Sequence, residues 1–287
     1  MKLTEQQILF FNDFGYLLLP KLLQELISAI IEEFDRLMAE HISINPHDHV
    51  RRTMKWQFID SSKFLSTLIE DPLINEPLKS LLGNDFLYTG SSGNFFSGST
   101  TWHSDDYLAQ KRVKALFYLD PLTSTTGALR VIPHSHEHSE SSRNFHEAVS
   151  SCDKSYGVHG SDLPSISLDV SPGDVIFFNQ NLLHSSWGGG TQRRLFSINV
   201  HENYTQDKIP SLLDHIKDLA RFGLPCMYGS EMLNNPPAAR LVHLQQGLEH
   251  QKPLIEWSKE YLAINKVASR DFDITENVQQ LQSQNMM

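Results

Sequence analysis

Residues 21–39 carry Leu22, Leu23, Leu26, Ile27, Ile30, Ile31, Phe34, Leu37 and Met38, while Glu25, Glu32, Glu33 and Asp35 fall on the other side. Apolar positions at this spacing make one stripe on a 3.6-residue helix, so the pattern predicts an amphipathic helix over 21–39. Ahead of it, Thr4 and Gln7 have the capping-box spacing that opens a short helix, and Gly15 is placed to close it. Residues 16–19 form a brief apolar run ended by Pro20, which reads as a first strand. The polar stretch 41–54 reads as a loop, and 63–82 as one or two helices broken at Pro72 and Pro77.

Beyond Gly83 the helical period disappears. Short β-prone runs cover 86–88, 93–96, 113–119, 129–132, 165–168, 174–178 and 194–200, most of them separated by Gly, Ser, Pro or Asn. Many short strands punctuated in this way predict a sandwich or barrel. The insert 137–163 is polar and shows no clear helical period, so it is expected to be irregular. Helical patterning returns after Tyr204, over 212–222 and 238–248. With no internal repeat and no linker, the expected organisation is one domain over 1–265. Its helical part covers about 1–83, its β core about 84–204 and its C-terminal helices about 205–265, and a polar, flexible tail covers 266–287.

A formal charge of −10 lacks the basic footprint that phosphate backbones require, so no nucleic-acid partner is expected. The clusters Lys111, Arg112, Lys114 and Arg193, Arg194 are too short to line a groove. No apolar run approaches a membrane span, and MKLTEQQILFFND is too polar for a signal peptide. Cys152 and Cys226 make neither a CxxC motif nor a disulfide framework, so a reducing, cytoplasmic location is expected.

Chemistry enters at Thr101-Trp102-His103-Ser104-Asp105. On a strand, residues i and i+2 face the same way, so His103 and Asp105 can grip one ion from a rigid element. A third ligand is needed from elsewhere, and two histidines with one carboxylate leave adjacent positions open, as suits non-haem iron(II). The histidine that follows the apolar run 175–178 is His184, flanked by Ser185, Ser186 and a glycine run. Next comes QRRLFSINV, a half-buried strand that begins with two arginines. An inward guanidinium is costly unless it meets an anion, and its fork suits a carboxylate. Alternation groups Arg193 with Leu195, Ser197 and Asn199, and Arg194 with Phe196, Ile198 and Val200. Either arginine remains open on this evidence.

The motifs LTEQQILFFNDFGYLLLP, WHSDD, VKALFYLDPLTSTTGALRVIPHSH and SPGDVIFFNQNLLHSS, followed by the arginine pair, resemble in order the phytanoyl-CoA dioxygenase (PhyH) family of iron(II)/2-oxoglutarate oxygenases. The likeness runs from about Leu3 to Val200. It implies a double-stranded β-helix (jelly-roll, cupin-like) core flanked by helices. It also implies Fe(II) on His103, Asp105 and His184, with 2-oxoglutarate and O2 as co-substrates. The resemblance favours Arg193 over Arg194 for the far carboxylate of 2-oxoglutarate, because Ser197 then falls where the family often has serine. It implies hydroxylation of an unactivated C–H bond of a small molecule, of amino-acid, acyl or natural-product type, releasing succinate and CO2. Halogenating relatives replace the carboxylate ligand with a small residue, so Asp105 favours hydroxylation. A catalytically silent binding or sensing module is the alternative, and a zinc hydrolase on the same ligands is a third reading. The chain departs from the family pattern at His134, where glycine is usual, and in the stretch WGGGT.

Asn94, Trp102 and Tyr107 bracket the first ligand strand and are candidates for the pocket wall, Asn94 on the co-substrate side. His134, His136 and His138 alternate but read better as a structural histidine and two loop residues. Arg51 and Arg52, near Lys55 and Trp56, read as a solvated charge run rather than a site for an acidic group.

Overall fold

The computed structural model describes residues 1–44, 46–190 and 192–265; the expected flexible tail lies outside the described residues. Helix α1 (Glu5–Phe14) opens on the reciprocal Thr4–Gln7 capping box and ends at Gly15, whose φ of 81° is the left-handed cap conformation. Strand β1 (Tyr16–Leu19) follows directly.

Helix α2 spans Ile27–Ile44, so it starts later and runs further than the periodicity predicts. The first residues of the apolar stripe are held in turns instead. Lys21 has φ 58°, its N–H donates to Asp174 Oδ1 at 2.7 Å, and the Leu23 N–H donates to the Gly173 carbonyl at 2.9 Å. Leu23 still reaches the core from this turn. Strand β2 (Thr53–Trp56) occupies the end of the stretch expected as loop. Helix α3 (Pro72–Leu82) carries Pro72 in its first turn, where the missing N–H costs nothing, and runs through Pro77 without breaking.

The strands β3 (Leu87–Phe96), β4 (Thr100–His103), β5 (Arg112–Tyr118), β6 (Leu129–Val131), β7 (Ile166–Leu168), β8 (Val175–Asn179), β9 (His184–Ser186) and β10 (Arg193–His201) complete the β core. They form a six-stranded sheet in the order β1-β8-β5-β10-β3-β2 and a four-stranded sheet β4-β9-β6-β7. Every pairing is antiparallel. This is the jelly-roll, double-stranded β-helix core flanked by helices.

Alternation along the central strands decides what each sheet face meets. On β10, Phe196, Ile198 and Val200 join the large core against the helices, whereas Leu195 joins the cluster between the sheets. On β5, Val113, Ala115 and Phe117 face the helices, and Leu116 and Tyr118 face inward. Phe117 and Phe196 stack at 4.3 Å between centroids. Each such buried aromatic contributes about 1.5–3 kcal/mol through removal of apolar surface from water.

The insert expected to be irregular is largely helical, with α4 (Glu140–Ser150) and α5 (Cys152–Ser155). Its period is hard to read because α4 buries only His146 and Val149, a stripe one turn long, and is otherwise polar. Val149 packs with Trp102 and Leu183 in a small satellite core beside β4 and β9.

The C-terminal part is helical as expected, in short pieces: α6 (Ile209–Asp218), α7 (Ser230–Leu233), α8 (Ala238–Leu241), α9 (Gln245–His250) and α10 (Leu254–Ile264). The buried Asp60 carboxylate ties this part to the core, accepting from Tyr88, from Ser91 Oγ at 3.0 Å and from the Gly229 N–H at 3.1 Å. Among the described residues no helix is long and apolar enough to cross a membrane.

Candidate metal centre

Strands β4 and β9 place His103 directly opposite His184 in the antiparallel ladder. Directly opposed residues point to one face with their Cβ atoms close, and here the imidazole centroids lie 4.3 Å apart. Asp105 does not share the strand with His103. β4 ends at His103, and Asp105 sits in a bend two residues on. The bend nevertheless returns its carboxylate to the pair, and one ligand atom from each of the three residues lies within 4.8 Å of the others.

The imidazoles are oriented by the chain itself. His103 Nδ1 lies 2.8 Å from the Thr101 carbonyl and His184 Nδ1 lies 2.8 Å from the Leu182 carbonyl. A carbonyl can only accept, so each Nδ1 carries the proton and each Nε2 is left as a lone pair for a metal. Burial, reinforced by His103, pushes the His184 imidazole down to about 3, so it is neutral at ordinary pH. Burial pushes the Asp105 carboxyl up, but Lys114 and the two imidazoles outweigh this and hold it well below the usual carboxylate range. Two imidazoles and one carboxylate converging from one side fit a divalent first-row metal with open coordination positions, non-haem iron(II) foremost.

Lys114 is a site residue that the sequence reading did not single out. Its Nζ lies 2.6 Å from Asp105 Oδ2, while Asp105 Oδ1 is 3.9 Å from His184 Nε2. One carboxylate oxygen is thus engaged by an ammonium and the other turned toward the histidines. The signal was present: in RVKALFY, Lys114 shares its face with Leu116 and Tyr118, which point between the sheets.

A cavity of about 330 Å³ runs from this cluster to Arg193. The Arg193 guanidinium is buried, donating to the Gly127 carbonyl at 2.6 Å and the Gly98 carbonyl at 2.7 Å, with Ser186 Oγ at 3.3 Å. Its Nε has no partner among the described residues. Glycines make this cradle possible. A Cβ on Gly127 would sit 2.6 Å from Arg193 Nη1, and one on Gly189 would sit 2.4 Å from Nε. Gly189, within the unusual glycine run, therefore forms part of the wall against which the guanidinium lies. Arg194 points to the opposite side of β10, where it binds Asp35 of α2 at 2.9 Å and Asp120 at 2.7 Å.

Asn94 and Ser197 both line the cavity. Ser197 Oγ is 3.2 Å from Ser92 Oγ, Asn94 Nδ2 donates to Ser92 at 3.1 Å, and Asn94 Oδ1 is buried without a partner. Arg52, expected on a solvated run, also lines it, with its guanidinium 5.2 Å from the Phe96 ring.

Trp102 and Tyr107 are not in the wall, contrary to expectation. Trp102 precedes His103 on β4 and so faces the other way, into the satellite core, where its indole N–H donates to the Gly160 carbonyl at 2.7 Å. Tyr107 turns outward to the Ser139 carbonyl at 2.6 Å. His134 and His136 bond the Asp13 and Asn12 carbonyls at 2.9 Å each and join no metal cluster among the described residues. His134 has φ 69°, the left-handed conformation that glycine adopts without steric cost.

No curated protein sequence matches the chain. Among solved structures it is similar to the non-haem α-ketoglutarate-dependent carbocyclase SnoK from nogalamycin biosynthesis, with TM-score 0.56 and 18% identity over 73% of this chain and 91% of that one. It is also similar to HygX from Streptomyces hygroscopicus with nickel and 2-oxoglutarate bound, with TM-score 0.57 and 17% identity over 71% and 89%. EctD from S. alaskensis with bound Fe gives TM-score 0.52 and 20% identity over 70% and 76%. At these identities the likeness establishes a shared fold. The phytanoyl-CoA dioxygenase (PhyH) family matches residues 11–194, a span that holds all three clustered ligands and both arginines, and the chain belongs to that family.

Proposed function

We propose that this protein is an Fe(II)- and 2-oxoglutarate-dependent oxygenase that hydroxylates an unactivated C–H bond of a small molecule, with iron on His103, Asp105 and His184. The observation that carries this reading is that a three-ligand cluster with correctly turned imidazoles opens into the same cavity as a buried arginine without an anionic partner. The cofactors of this family are iron(II), 2-oxoglutarate and O2. When bound, they supply the oxidation: 2-oxoglutarate is decarboxylated to succinate and CO2, one oxygen atom of O2 entering succinate and the other the substrate C–H bond.

The chain itself contributes orientation and exclusion of water. The Thr101 and Leu182 carbonyls fix both imidazole tautomers. Lys114 holds Asp105 Oδ2 so that Oδ1 faces the histidines. Arg193 supplies a charged fork for the distal carboxylate of 2-oxoglutarate, and Ser197, Ser92 and Asn94 supply polar contacts along the cavity. Leu116, Leu129 and Leu195 keep the intervening wall apolar, which strengthens every charged contact there.

Anaerobic addition of iron(II) and 2-oxoglutarate should produce a weak visible charge-transfer band, and Asp105→Ala should abolish it. Absence of the band in the wild-type protein, or turnover that persists without O2 and 2-oxoglutarate, would overturn the proposal.

A further inference from the structure

Two carboxylates follow the first histidine in His103-Ser104-Asp105-Asp106, and either is near enough along the chain to serve as its partner. In the structure Asp105 joins His103 and His184, and Asp106 does not. The β-ladder does not make that choice, because β4 ends at His103 and the three residues after it lie outside any strand.

Side chains from other elements grip this bend instead. Ser104 Oγ lies 3.3 Å from Nδ1 of His146, a buried residue of α4. Asp105 is held by Lys114 at 2.6 Å, and Asp106 is ion-paired to Arg112. The Asp106 N–H also donates to the Gln180 carbonyl at 3.2 Å. Arg112 and Lys114 are two residues apart on β5 and so project from the same face of the sheet. Side by side, they take the two consecutive carboxylates, one each.

Arg112 is the more deeply buried of these two cations, with 3% of its surface exposed. A guanidinium so far from water is strongly unfavourable unless an anion meets it. Its Nη1 has that anion in Asp106, while Nη2 donates to the Tyr204 hydroxyl at 3.0 Å. Tyr204 is in turn clasped by Gln246 of α9, which bonds its N–H at 2.9 Å and its carbonyl at 2.8 Å. One end of the guanidinium is thus anchored towards the C-terminal helices, and the other meets the bend.

We infer that Arg112 is a positioning residue of the metal centre: by taking Asp106, it seats the bend so that Asp105, and not Asp106, faces the histidines. The pair is made with the bend seated. The cost of an unpaired buried cation therefore weighs against arrangements in which Asp106 swings away and carries Asp105 with it. The inference rests on the iron site proposed above and adds to it a residue that acts through the neighbour of a ligand.

The test measures anaerobic iron(II) affinity by competition with a chromogenic chelator. The urea midpoint of the metal-free protein and the charge-transfer band with 2-oxoglutarate are recorded beside it. Arg112→Met is expected to weaken iron(II) binding roughly tenfold, within the range that partners of metal ligands give. Asp106→Asn should match it, and the double variant should lose no more than either, because both changes break one contact. Arg112→Lys keeps a cation for Asp106 and should recover most of the affinity. Tyr204→Phe strips the guanidinium of its other partner without touching the pair, so it should lower the urea midpoint and leave iron(II) affinity at the wild-type level. If Arg112→Met does not fold, Arg112→Gln takes its place with the same expectation. Wild-type affinity in a folded Arg112 variant without the charge, or an equal loss in Tyr204→Phe, overturns this inference and leaves the oxygenase reading standing. A wild-type protein that gives no band overturns both.

Discussion

Exchange of Arg193 for lysine tests the co-substrate arm of the cavity most directly. The guanidinium holds two backbone carbonyls, at Gly127 and Gly98, and still has a buried Nε without a partner. Lysine keeps the charge but offers one point donor in place of a planar fork, so it cannot serve both carbonyls and a carboxylate together. Losing a desolvated, charge-assisted contact costs about 2–4 kcal/mol. At about 1.4 kcal/mol per factor of ten, KM for 2-oxoglutarate should rise roughly 30- to 700-fold. Arg194→Ala is the matched control. Its partners Asp35 and Asp120 lie on the helix side of β10 at a partly exposed position, where an ion pair contributes about 1 kcal/mol or less to stability. Its KM for 2-oxoglutarate should therefore stay within about twofold of wild type. The assay is succinate release against 2-oxoglutarate concentration, paired with an anaerobic titration of the charge-transfer band. A monocarboxylic 2-oxo acid, which lacks the distal carboxylate, should lose nothing further in Arg193→Lys. If Arg194→Ala raised the KM and Arg193→Lys did not, the register assigned to β10 would be refuted.

Lys114→Met should weaken iron(II) affinity roughly 10- to 100-fold by freeing the Asp105 oxygen that the ammonium holds at 2.6 Å, measured by competition with a chromogenic chelator. Lys114→Arg should recover part of the loss, and affinity equal to wild type in the methionine variant would remove Lys114 from the site. Acid stability should report His243, whose Nδ1 lies 2.9 Å from the Phe86 carbonyl and whose Nε2 lies 2.8 Å from the Asn75 side-chain nitrogen. Burial pushes this imidazole down to about 4, so as pH falls below about 6.5 the unfolded chain takes up the proton first and stability is lost down to about 4. The full contribution is roughly 3 kcal/mol, and urea midpoints across that window should fall more shallowly in His243→Gln than in wild type; an unchanged slope would contradict the assignment.

The elements that were legible in the sequence are those with a strong local cause. The Thr4–Gln7 box and Gly15 fix α1 without help from the rest of the chain, and alternation in RRLFSINV separates an inward Arg193 from an outward Arg194. His103 and His184 were legible as a pair, but their direct opposition depends on the β4–β9 register, which no local pattern specifies. Where the reading failed, distant partners override local preference. The stripe 21–39 looks helical from its start, yet Asp174 and Gly173 capture the backbone around Lys21 and Leu23 and delay the helix to Ile27. Helix α4 is hidden because one buried turn is enough to dock it. Trp102 was misplaced because proximity in sequence to a ligand is not proximity in space: on a strand, the adjacent residue faces the opposite side.

The position of α6 in the chain bears on how the molecule is divided. The stretch held in common with the family, 11–194, contains the three proposed ligands and Arg193, so the proposed oxidising centre lies in one continuous region. Helix α6 (Ile209–Asp218) lies beyond it; Ser211, Asp214 and Asp218 border a second cavity of about 680 Å³, while Leu212 and Ile216 are buried in the core. Ser211, Asp214 and Asp218 can therefore be exchanged while Leu212 and Ile216 hold the helix in place. The side of α6 that borders this cavity can thus vary without touching the proposed iron ligands or Arg193.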